Sequence, residues 1–214
     1  LSSSGSSLHI KGTDASIIDK SQVSNLKLVG NTTGSTTQVK FTDTKSMYFD
    51  GVGDYLTAAS PATMGIGTGD FTIECWFYAT DGATDVGVWD THTQNGSSDG
   101  LTLTLTSATT FRVWDTSQIL VSSATAITDN WNHLAVVRNS GTLELFVNGV
   151  SQGTVSNSTN MNSAQEMMIG AGRYSGAGGT PTNFVKGYMQ DFRITKGLAR
   201  YTSNFTPPTE SLKG

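Results

Sequence analysis

One stretch near the middle of the chain, residues 131–150, constrains the fold more than any other. It reads WNHLAVVRNSGTLELFVNGV. In its first half both alternating sets of side chains are largely apolar, which indicates a strand that is covered on both faces. Residues 139–141 interrupt the run, and a second alternating strand continues to Val147. Asn148 and Gly149 then form a strong hairpin signal. The stretch therefore predicts a β-meander.

Short alternating runs separated by turn residues fill the rest of the chain, and helical periodicity is almost absent. The strongest run is Phe71–Tyr78, in which one face is apolar and the other mixes aromatic and polar side chains. One helical turn is predicted at 196–201. Around a dozen short strands predict an all-β fold, a two-sheet antiparallel β-sandwich. The other predicted strands are 8–10, 26–29, 46–49, 55–57, 86–89, 101–105, 111–114, 119–121, 167–169 and 184–194.

The chain is organised as a single domain. Its 214 residues suit one all-β unit, and no linker or internal repeat divides them. The Ser/Gly-rich residues 1–7 are predicted to be a flexible tail or linker. Residues 8–208 then form the domain, and residues 209–214 form a C-terminal tail.

The order of several motifs resembles a known family. A Trp131-x-His133 strand start, a short polar turn and a strand ending in Val147-Asn148-Gly149 resemble the centre of laminin-G-like and pentraxin-like domains. These belong to the concanavalin A-like superfamily of jelly rolls. The supporting segments lie at similar spacing and are Met47–Gly51, Asp54–Leu56, Phe71–Tyr78 and Gly187–Ile194.

The C-terminal segment DFRITKGLARYTSNFTPP carries a narrower resemblance. It is similar to the end of laminin-G-like domains in bacteriophage structural proteins and bacterial surface proteins. In those domains the turn after the closing strand packs back onto the sheet, which here implies packing by Leu198, Tyr201 and Phe205. The fold itself hosts lectins, hydrolases, adhesion modules and virion proteins, so it does not by itself specify a function.

The charge and the cysteine content limit which partners and which biological origin the sequence predicts for this protein. The formal net charge is −4, without a basic cluster, so nothing in the sequence predicts binding to nucleic acid or an anionic membrane. No apolar run reaches membrane-spanning length. The single cysteine, Cys75, lies in an apolar strand and is predicted to be a buried, inert thiol. A chain without its own disulfide favours a microbial or viral origin over a secreted animal domain.

The sequence predicts no enzyme. Hydrolases of this superfamily carry a Glu-x-Asp-x-x-Glu strand, which places two carboxylates beside the scissile bond. No Glu-x-Asp-x-x-Glu pattern occurs in this chain. His133, beside Trp131 at the start of a core strand, is interpreted as a structural, hydrogen-bonded histidine.

A structural calcium ion is the one cofactor that the resemblance implies. Many relatives hold calcium with an aspartate of the closing strand, which here is Asp191, together with groups near the N-terminal strands, for which Asp19 and Asp50 are the candidates. Hard cations prefer such oxygen ligands. The alternative is that Asp50 caps its own turn and that Asp191 pairs with Arg193 or Lys196.

Two loops are candidates for binding sugars. Glycan sites use aromatic faces for the apolar side of the sugar, and amides and carboxylates for its hydroxyls. The first loop covers residues 90–99, with Trp89 at its entrance, and the second is the glycine-rich segment 173–183. The alternative is core packing for the tryptophans and ordinary connections for the loops. The candidate ligand-binding residues are Trp89, Asp90, His92, Asn95, Trp114, Arg173, Tyr174 and Asn183.

These observations favour a noncatalytic adhesion or recognition module on a virion or a microbial surface. Its partners would be host-surface or extracellular glycans, or neighbouring structural subunits, and assembly into a homo-oligomer is left open. One alternative is a purely structural protein that stabilises an assembly and binds no sugar. Another is a carbohydrate-binding module of a larger secreted enzyme.

Overall fold

Two antiparallel sheets pack face to face, which confirms the predicted β-sandwich. The computed structural model describes residues 6–12, 17–20, 25–80, 85–94, 97–107, 109–122, 128–173 and 179–212. In chain order the elements are β1 (Ser6–Gly12), β2 (Ile17–Asp19), β3 (Lys27–Val29), β4 (Thr33–Ser35), β5 (Ser46–Asp50), β6 (Tyr55–Ala58), α1 (Pro61–Met64), β7 (Phe71–Ala79), β8 (Val86–Asp90), β9 (Thr102–Ser107), β10 (Thr110–Trp114), β11 (Gln118–Val121), β12 (Trp131–Asn139), β13 (Thr142–Val147), β14 (Val150–Ser156), β15 (Met167–Ile169) and β16 (Lys186–Lys196).

The larger sheet has nine strands and is built around the long closing strand β16. Its main order is β14-β13-β12-β7-β16-β1-β2, and β5 pairs with the first half of β16 while β4 pairs with β5. The smaller sheet has seven strands in the order β11-β10-β9-β8-β15-β6-β3. We call these the nine-stranded and the seven-stranded sheet. In each sheet the face that points away from the sandwich core is its outer face.

The central meander forms as the sequence predicts. β12 pairs with β13 from Leu134 opposite Val147 to Asn139 opposite Thr142, and β13 pairs with β14. Asn148 and Gly149 have φ values of 52° and 77°, the left-handed conformation that a tight hairpin requires. β12 is buried on both faces from its second to its eighth residue, as predicted.

The core lies between the two sheets. The inward side of β7 carries Phe71, Ile73, Cys75 and Phe77, all buried in one apolar cluster. The buried thiol prediction for Cys75 is confirmed, since the side chain is a free cysteine within this cluster. Burial raises the pKa of this thiol far above its ordinary value, so it stays protonated and inert.

The C-terminal residues 197–212 run back over the outer face of the nine-stranded sheet, and we call them the strap. Tyr201 and Phe205 pack on Ala135, Val137 and Phe146, as the resemblance implied. Two details of the prediction are wrong. The side chain of Leu198 is 48% exposed and does not join this packing. Residues 196–201 form no helical turn but end β16 and continue without regular structure.

The strap also alters the predicted boundaries of the domain. Thr72 on β7 donates through its hydroxyl to the Leu198 carbonyl and accepts from the Arg200 amide, which holds the strap extended. Ser211 and Leu212 are buried, so the packed unit extends through the first part of the predicted tail. At the other end, β1 begins at Ser6, inside the predicted N-terminal tail.

Candidate functional site

A row of polar side chains crosses the outer face of the seven-stranded sheet. Trp114 on β10 is opposite Thr102 on β9, and Thr102 is opposite Asp90 on β8. The row continues through Met168 on β15 to Thr57 on β6. The alternation of threonine and leucine in residues 101–105 creates this arrangement, because the leucines fill the core and the threonines point away from it.

Trp89 lies on the opposite face of the same strand. Its side chain is 0% exposed and belongs to the core cluster between the sheets. A register irregularity between Gly87 and Trp89 sets this orientation, and it directs Asp90 instead of Trp89 toward the outer face. The prediction that Trp89 stands at a loop entrance and offers its ring to a sugar is therefore corrected: its ring has no exposed face.

Asp90, His92 and Arg173, predicted on two separate loops, form one buried cluster. The Asp90 carboxylate accepts hydrogen bonds from the backbone amides of His92 at 2.8 Å and Arg173 at 2.7 Å, and its Oδ1 lies 3.0 Å from His92 Nδ1. Burial by itself raises the pKa of this carboxyl. The hydrogen bonds from His92 and the Arg173 backbone outweigh it and hold the pKa below its ordinary value.

The Arg173 guanidinium locks the two loops together. It donates to the backbone carbonyls of His92 at 3.0 Å and Glu166 at 2.6 Å. A side chain at Gly87 would collide with the backbone of Ala171 at 2.5 Å, so the segment leading to Arg173 lies directly against β8. These polar groups are therefore used in bracing the loops to each other.

Trp114 and Arg112 are two groups of this face that retain surface. Both side chains are half-buried, and Trp114 donates from its indole Nε1 to the Thr104 hydroxyl at 3.0 Å. Arg112 lies opposite Thr104 in the neighbouring register. Its Nε is buried and donates to no acceptor within the described ranges. A buried donor without an acceptor is costly, so this position favours a ligand or water that supplies an oxygen.

The remaining predicted loop residues divide into two groups. Asn183 has a left-handed backbone, and its side-chain amide donates to the Asp85 carbonyl at 2.7 Å, which fastens the second loop to the start of β8. In the first loop, the hydroxyls of Thr93 and Ser97 donate to the Asp99 carboxylate. Asn95 and Tyr174 lie outside the described residues.

The prediction missed Arg112, Thr102 and Thr104. Their signal was present in the sequence, since the alternation in β9 and β10 identifies which side chains share a face. What it does not identify is which face remains uncovered. That depends on the loops and the strap, whose positions are set by contacts distant in sequence.

The three aspartates predicted to bind calcium do not converge. In the strand register, Asp50 on β5 lies opposite Lys186 on β16. Lys186 is five residues from Asp191, so about 16 Å of strand separates Asp191 from the position opposite Asp50. Asp50 caps its own turn by accepting from the Val52 amide, the alternative given for it. Asp19 accepts from the His9 amide. Within the described residues no group of three acidic, histidine or cysteine side chains could hold a metal ion. These residues do not fit the implied calcium site, and calcium binding stays a prediction.

Asp191 itself has a different partner from the one proposed as the alternative. Its Oδ1 is 3.4 Å from the Lys11 ammonium, and its Oδ2 accepts from the Leu212 amide at 2.7 Å. Burial raises the pKa of the Asp191 carboxyl, and the Leu212 amide and the Lys11 charge lower it less than burial raises it. The ammonium group of Lys11 lies beside this carboxylate, in the place that a metal cation would otherwise take.

The outer face of the nine-stranded sheet holds a buried ion cluster centred on Glu74. Glu74 Oε1 accepts from Arg193 Nη2 at 2.6 Å, and Oε2 accepts from the Tyr201 hydroxyl at 2.7 Å and lies 3.3 Å from His133 Nε2. Burial raises the pKa of Glu74, but His133, Arg193 and Tyr201 outweigh it and lower the pKa to about 2. The contact with Glu74 agrees with the structural role predicted for His133.

Comparison with known proteins gives one family and several related folds. The laminin G-type family model of the Concanavalin A-like lectin/glucanases superfamily matches residues 50–199. No curated protein matches the sequence. Within the described ranges the structure contains no helix long and apolar enough to cross a membrane.

The solved structures that resemble this one are distant in sequence. One is domain 4 of AbnA, an extracellular arabinanase from Geobacillus stearothermophilus, in complex with arabinotriose. It has a TM-score of 0.62 and 12% identity, with coverage of 91% of this chain and 93% of that one. Another is the binding domain of botulinum neurotoxin serotype D/C, with a TM-score of 0.66 and 13% identity, covering 98% of this chain.

A third is the binding domain of botulinum neurotoxin DC in complex with SialylT, with a TM-score of 0.64 and 11% identity over 98% of this chain. This chain spans about half the length of the two neurotoxin domains, 50% and 49%. At these identities the likeness shows the fold.

Proposed function

Because the chain belongs to the Concanavalin A-like lectin/glucanases superfamily, we propose that it is a noncatalytic carbohydrate-binding module that works outside a cell. Of the three structural relatives, one is in complex with arabinotriose, another is in complex with SialylT, and the third is a neurotoxin binding domain. Both ligands are sugars, one bound to a domain of an extracellular enzyme and the other to a toxin domain. They support a glycan as the partner class for this fold.

The observation that carries the proposal is the pair formed by Trp114 and Arg112. An indole that is anchored through its N–H to Thr104 keeps its orientation while offering part of its ring to a ligand. The unpaired Nε of Arg112, directly beside it in the sheet, requires an oxygen acceptor. A fixed aromatic surface next to an unsatisfied donor suits a sugar, which has an apolar ring face and a rim of hydroxyls.

The braced loops supply the rigidity that such a site needs. Asp90, His92 and Arg173 bond to one another and to the backbone, and these bonds tie the loops beside Trp114 into one unit. Rigid surroundings lower the ordering cost of binding. In this proposal the predicted loop residues position the site, and Trp114 and Arg112 contact the sugar.

Two settings suit a module of this kind. The C-terminal segment resembles that of phage structural and bacterial surface proteins, which supports adhesion to host glycans from a virion or a microbial surface. The arabinanase domain supports the other setting, a module attached to a secreted enzyme. Both settings use the same sugar surface.

Binding to an array of glycans, with the purified domain and its variants, tests the proposal. We expect saturable binding to a narrow sugar class, lost on Trp114→Ala and weakened on Arg112→Ala. Trp131→Ala is the matched control, because Trp131 is also a half-buried tryptophan but lies on the nine-stranded sheet. Thermal melts of each variant report whether it folds. A blank array, or equal losses in Trp114→Ala and Trp131→Ala, would overturn the proposal and favour a structural assembly protein.

A further inference from the structure

A groove runs along the strap on the opposite side of the molecule from Trp114. It has a volume of ≈ 820 Å³, which lies within the range of small-molecule sites. One wall is the segment 40–43 and the other is the last part of the strap, residues 209–212. The groove is lined by Lys11, Lys20, Lys40, Phe41, Thr42, Asp43, Thr209, Glu210, Ser211 and Leu212.

Three lysines converge on this groove in a protein whose net charge is negative. Lys20 and Lys40 are exposed and form no ion pair within the described ranges. The Lys40 ammonium lies 4.1 Å above the Trp76 indole, a contact that orients it while leaving N–H donors available. Of the two carboxylates in the lining, that of Asp43 accepts from the Ser211 hydroxyl. The lining itself carries three ammonium groups and two carboxylates.

The third lysine, Lys11, is held in place by the buried carboxylate of Asp191. Its side chain is nearly buried, and its ammonium lies 3.4 Å from Oδ1 of Asp191, whose own side chain is 0% exposed. That oxygen accepts no hydrogen bond within the described residues. The other carboxylate oxygen is bonded to the Leu212 amide, so Asp191 contacts two of the residues that line the groove.

His9 adds a second unsatisfied group behind the same wall. Its side chain is buried, its Nε2 lies 4.0 Å from Asp191 Oδ1, and neither ring nitrogen has a hydrogen-bond partner within the described ranges. Asp191 also has a left-handed φ of 54° at the irregularity in β16. Backbone strain clusters at functional sites, and a buried polar atom without a hydrogen bond calls for a partner.

We infer that this groove is a second ligand site and that it takes an acidic saccharide, whose oxyanion lies among Lys11, Lys20 and Lys40. A carboxylate or sulfate oxygen supplies acceptors for the ammonium groups of Lys20 and Lys40, and a further one for Lys11 beside its contact with Asp191. The aromatic ring of Phe41 and the Ser211 hydroxyl offer contacts for the body of the sugar. Asp191 acts as a positioning residue, because it fixes the Lys11 ammonium at the groove wall.

The inference rests on the proposed function in that the ligand is a glycan, but it concerns a separate surface. Calorimetric titration separates the two. The probes are sialyllactose and a sulfated lactose, with lactose as the neutral match. We expect both acidic sugars to bind, lactose to bind at least about tenfold more weakly, and binding to weaken between about 50 mM and about 500 mM salt.

The decisive variant is the double replacement Lys20→Gln with Lys40→Gln. It should weaken the acidic sugars by roughly tenfold or more, because two charge-assisted contacts are lost. The matched control is Lys186→Gln with Lys196→Gln, two exposed lysines of β16 outside the groove. The control double should leave the affinity for the acidic sugars unchanged.

Any of four results would overturn the inference. The first is no heat of binding with either acidic sugar at millimolar concentration. The second is equal loss in the groove and control doubles, which indicates only general attraction to lysine. The third is equal affinity for lactose. The fourth is loss of acidic-sugar binding in Trp114→Ala alone, which would place all sugar binding at the first site. A carboxylate preference over sulfate, or the reverse, identifies which oxyanion the groove selects.

Discussion

The two outer faces of the sandwich are built from similar alternating strands but differ in how the chain covers them. On the nine-stranded sheet the strap covers Ala135, Val137 and Phe146, and a buried carboxylate is surrounded by three partners. On the seven-stranded sheet two braced loops border the face, and Trp114 and Arg112 retain surface. The Glu74 carboxylate, which the chain itself satisfies, serves stability, whereas the unsatisfied Arg112 Nε suits binding.

The difference shows where each kind of polar residue belongs. Glu74 is tolerated in a dry environment because Arg193, His133 and Tyr201 supply charge and hydrogen bonds. Arg112 has no such set around its Nε. The groove of the acidic-saccharide proposal lies at the margin between covered and uncovered surface, where the strap ends.

Removal of the buried carboxylate should have the largest effect. Glu74→Ala leaves Arg193 buried without its counter-charge, and we expect a loss of about 3–5 kcal/mol in the free energy of unfolding. Denaturant unfolding measures it. Glu166→Ala is the control, since its side chain is 41% exposed and should cost under about 1 kcal/mol. Equal effects of the two replacements would show that the covered face does not depend on its ion cluster.

The two tryptophans of the seven-stranded sheet should separate stability from binding. Trp89→Ala empties a core position and should cost about 3–5 kcal/mol in the free energy of unfolding. Trp114→Ala, on the outer face, should cost about 1 kcal/mol and remove glycan binding. Thermal melts combined with the glycan array check both. A stable Trp89→Ala variant that no longer binds sugar would reverse the assignment of the two residues.

Acid should destabilise the covered face in two steps. Burial, followed by the Lys11 charge, lowers the pKa of His9 from 6.5 to about 4, so between these values the unfolded chain binds more protons and stability falls as the pH falls. Glu74, with a pKa lowered from 4.5 to about 2, adds a second loss between about pH 4.5 and 2.

For the His9 step the total is on the order of 3 kcal/mol. The measurement is the free energy of unfolding in urea at a series of pH values. His9→Leu should abolish the slope between pH 6.5 and 4 while keeping the slope below it. A wild-type curve that is flat from pH 7 to 4 would contradict the buried, neutral state of His9.

Calcium should have the smallest effect. Lys11 already neutralises Asp191, and the other two predicted ligands lie elsewhere, so we expect the same melting temperature in calcium and in chelator. A rise of several degrees in calcium, absent in Asp191→Asn, would confirm the calcium prediction instead. The same comparison on the glycan array reports whether sugar binding needs the ion.

Much of the fold follows from local pattern, and the exceptions have identifiable causes. The alternation of β7, β9, β12 and β13 predicts which side chains fill the core. It fails at Trp89, because a single register irregularity in β8 changes the face on which the residues after it lie, and no propensity reveals it. It fails again at 196–201, where bonds to Thr72 hold an extended strap in place of a helical turn.

The sequence by itself determined the class of the molecule: period-two alternation, the turns at Asn139–Gly141 and Asn148–Gly149, and the low charge leave a two-sheet sandwich as the economical fold. Only the tertiary structure decided which surfaces remain open. The strap covers one sheet, two loops from distant parts of the chain meet through Asp90 and Arg173, and a lysine takes the place beside Asp191. These outcomes depend on contacts between residues far apart in sequence, and such contacts leave no periodic signal in either partner.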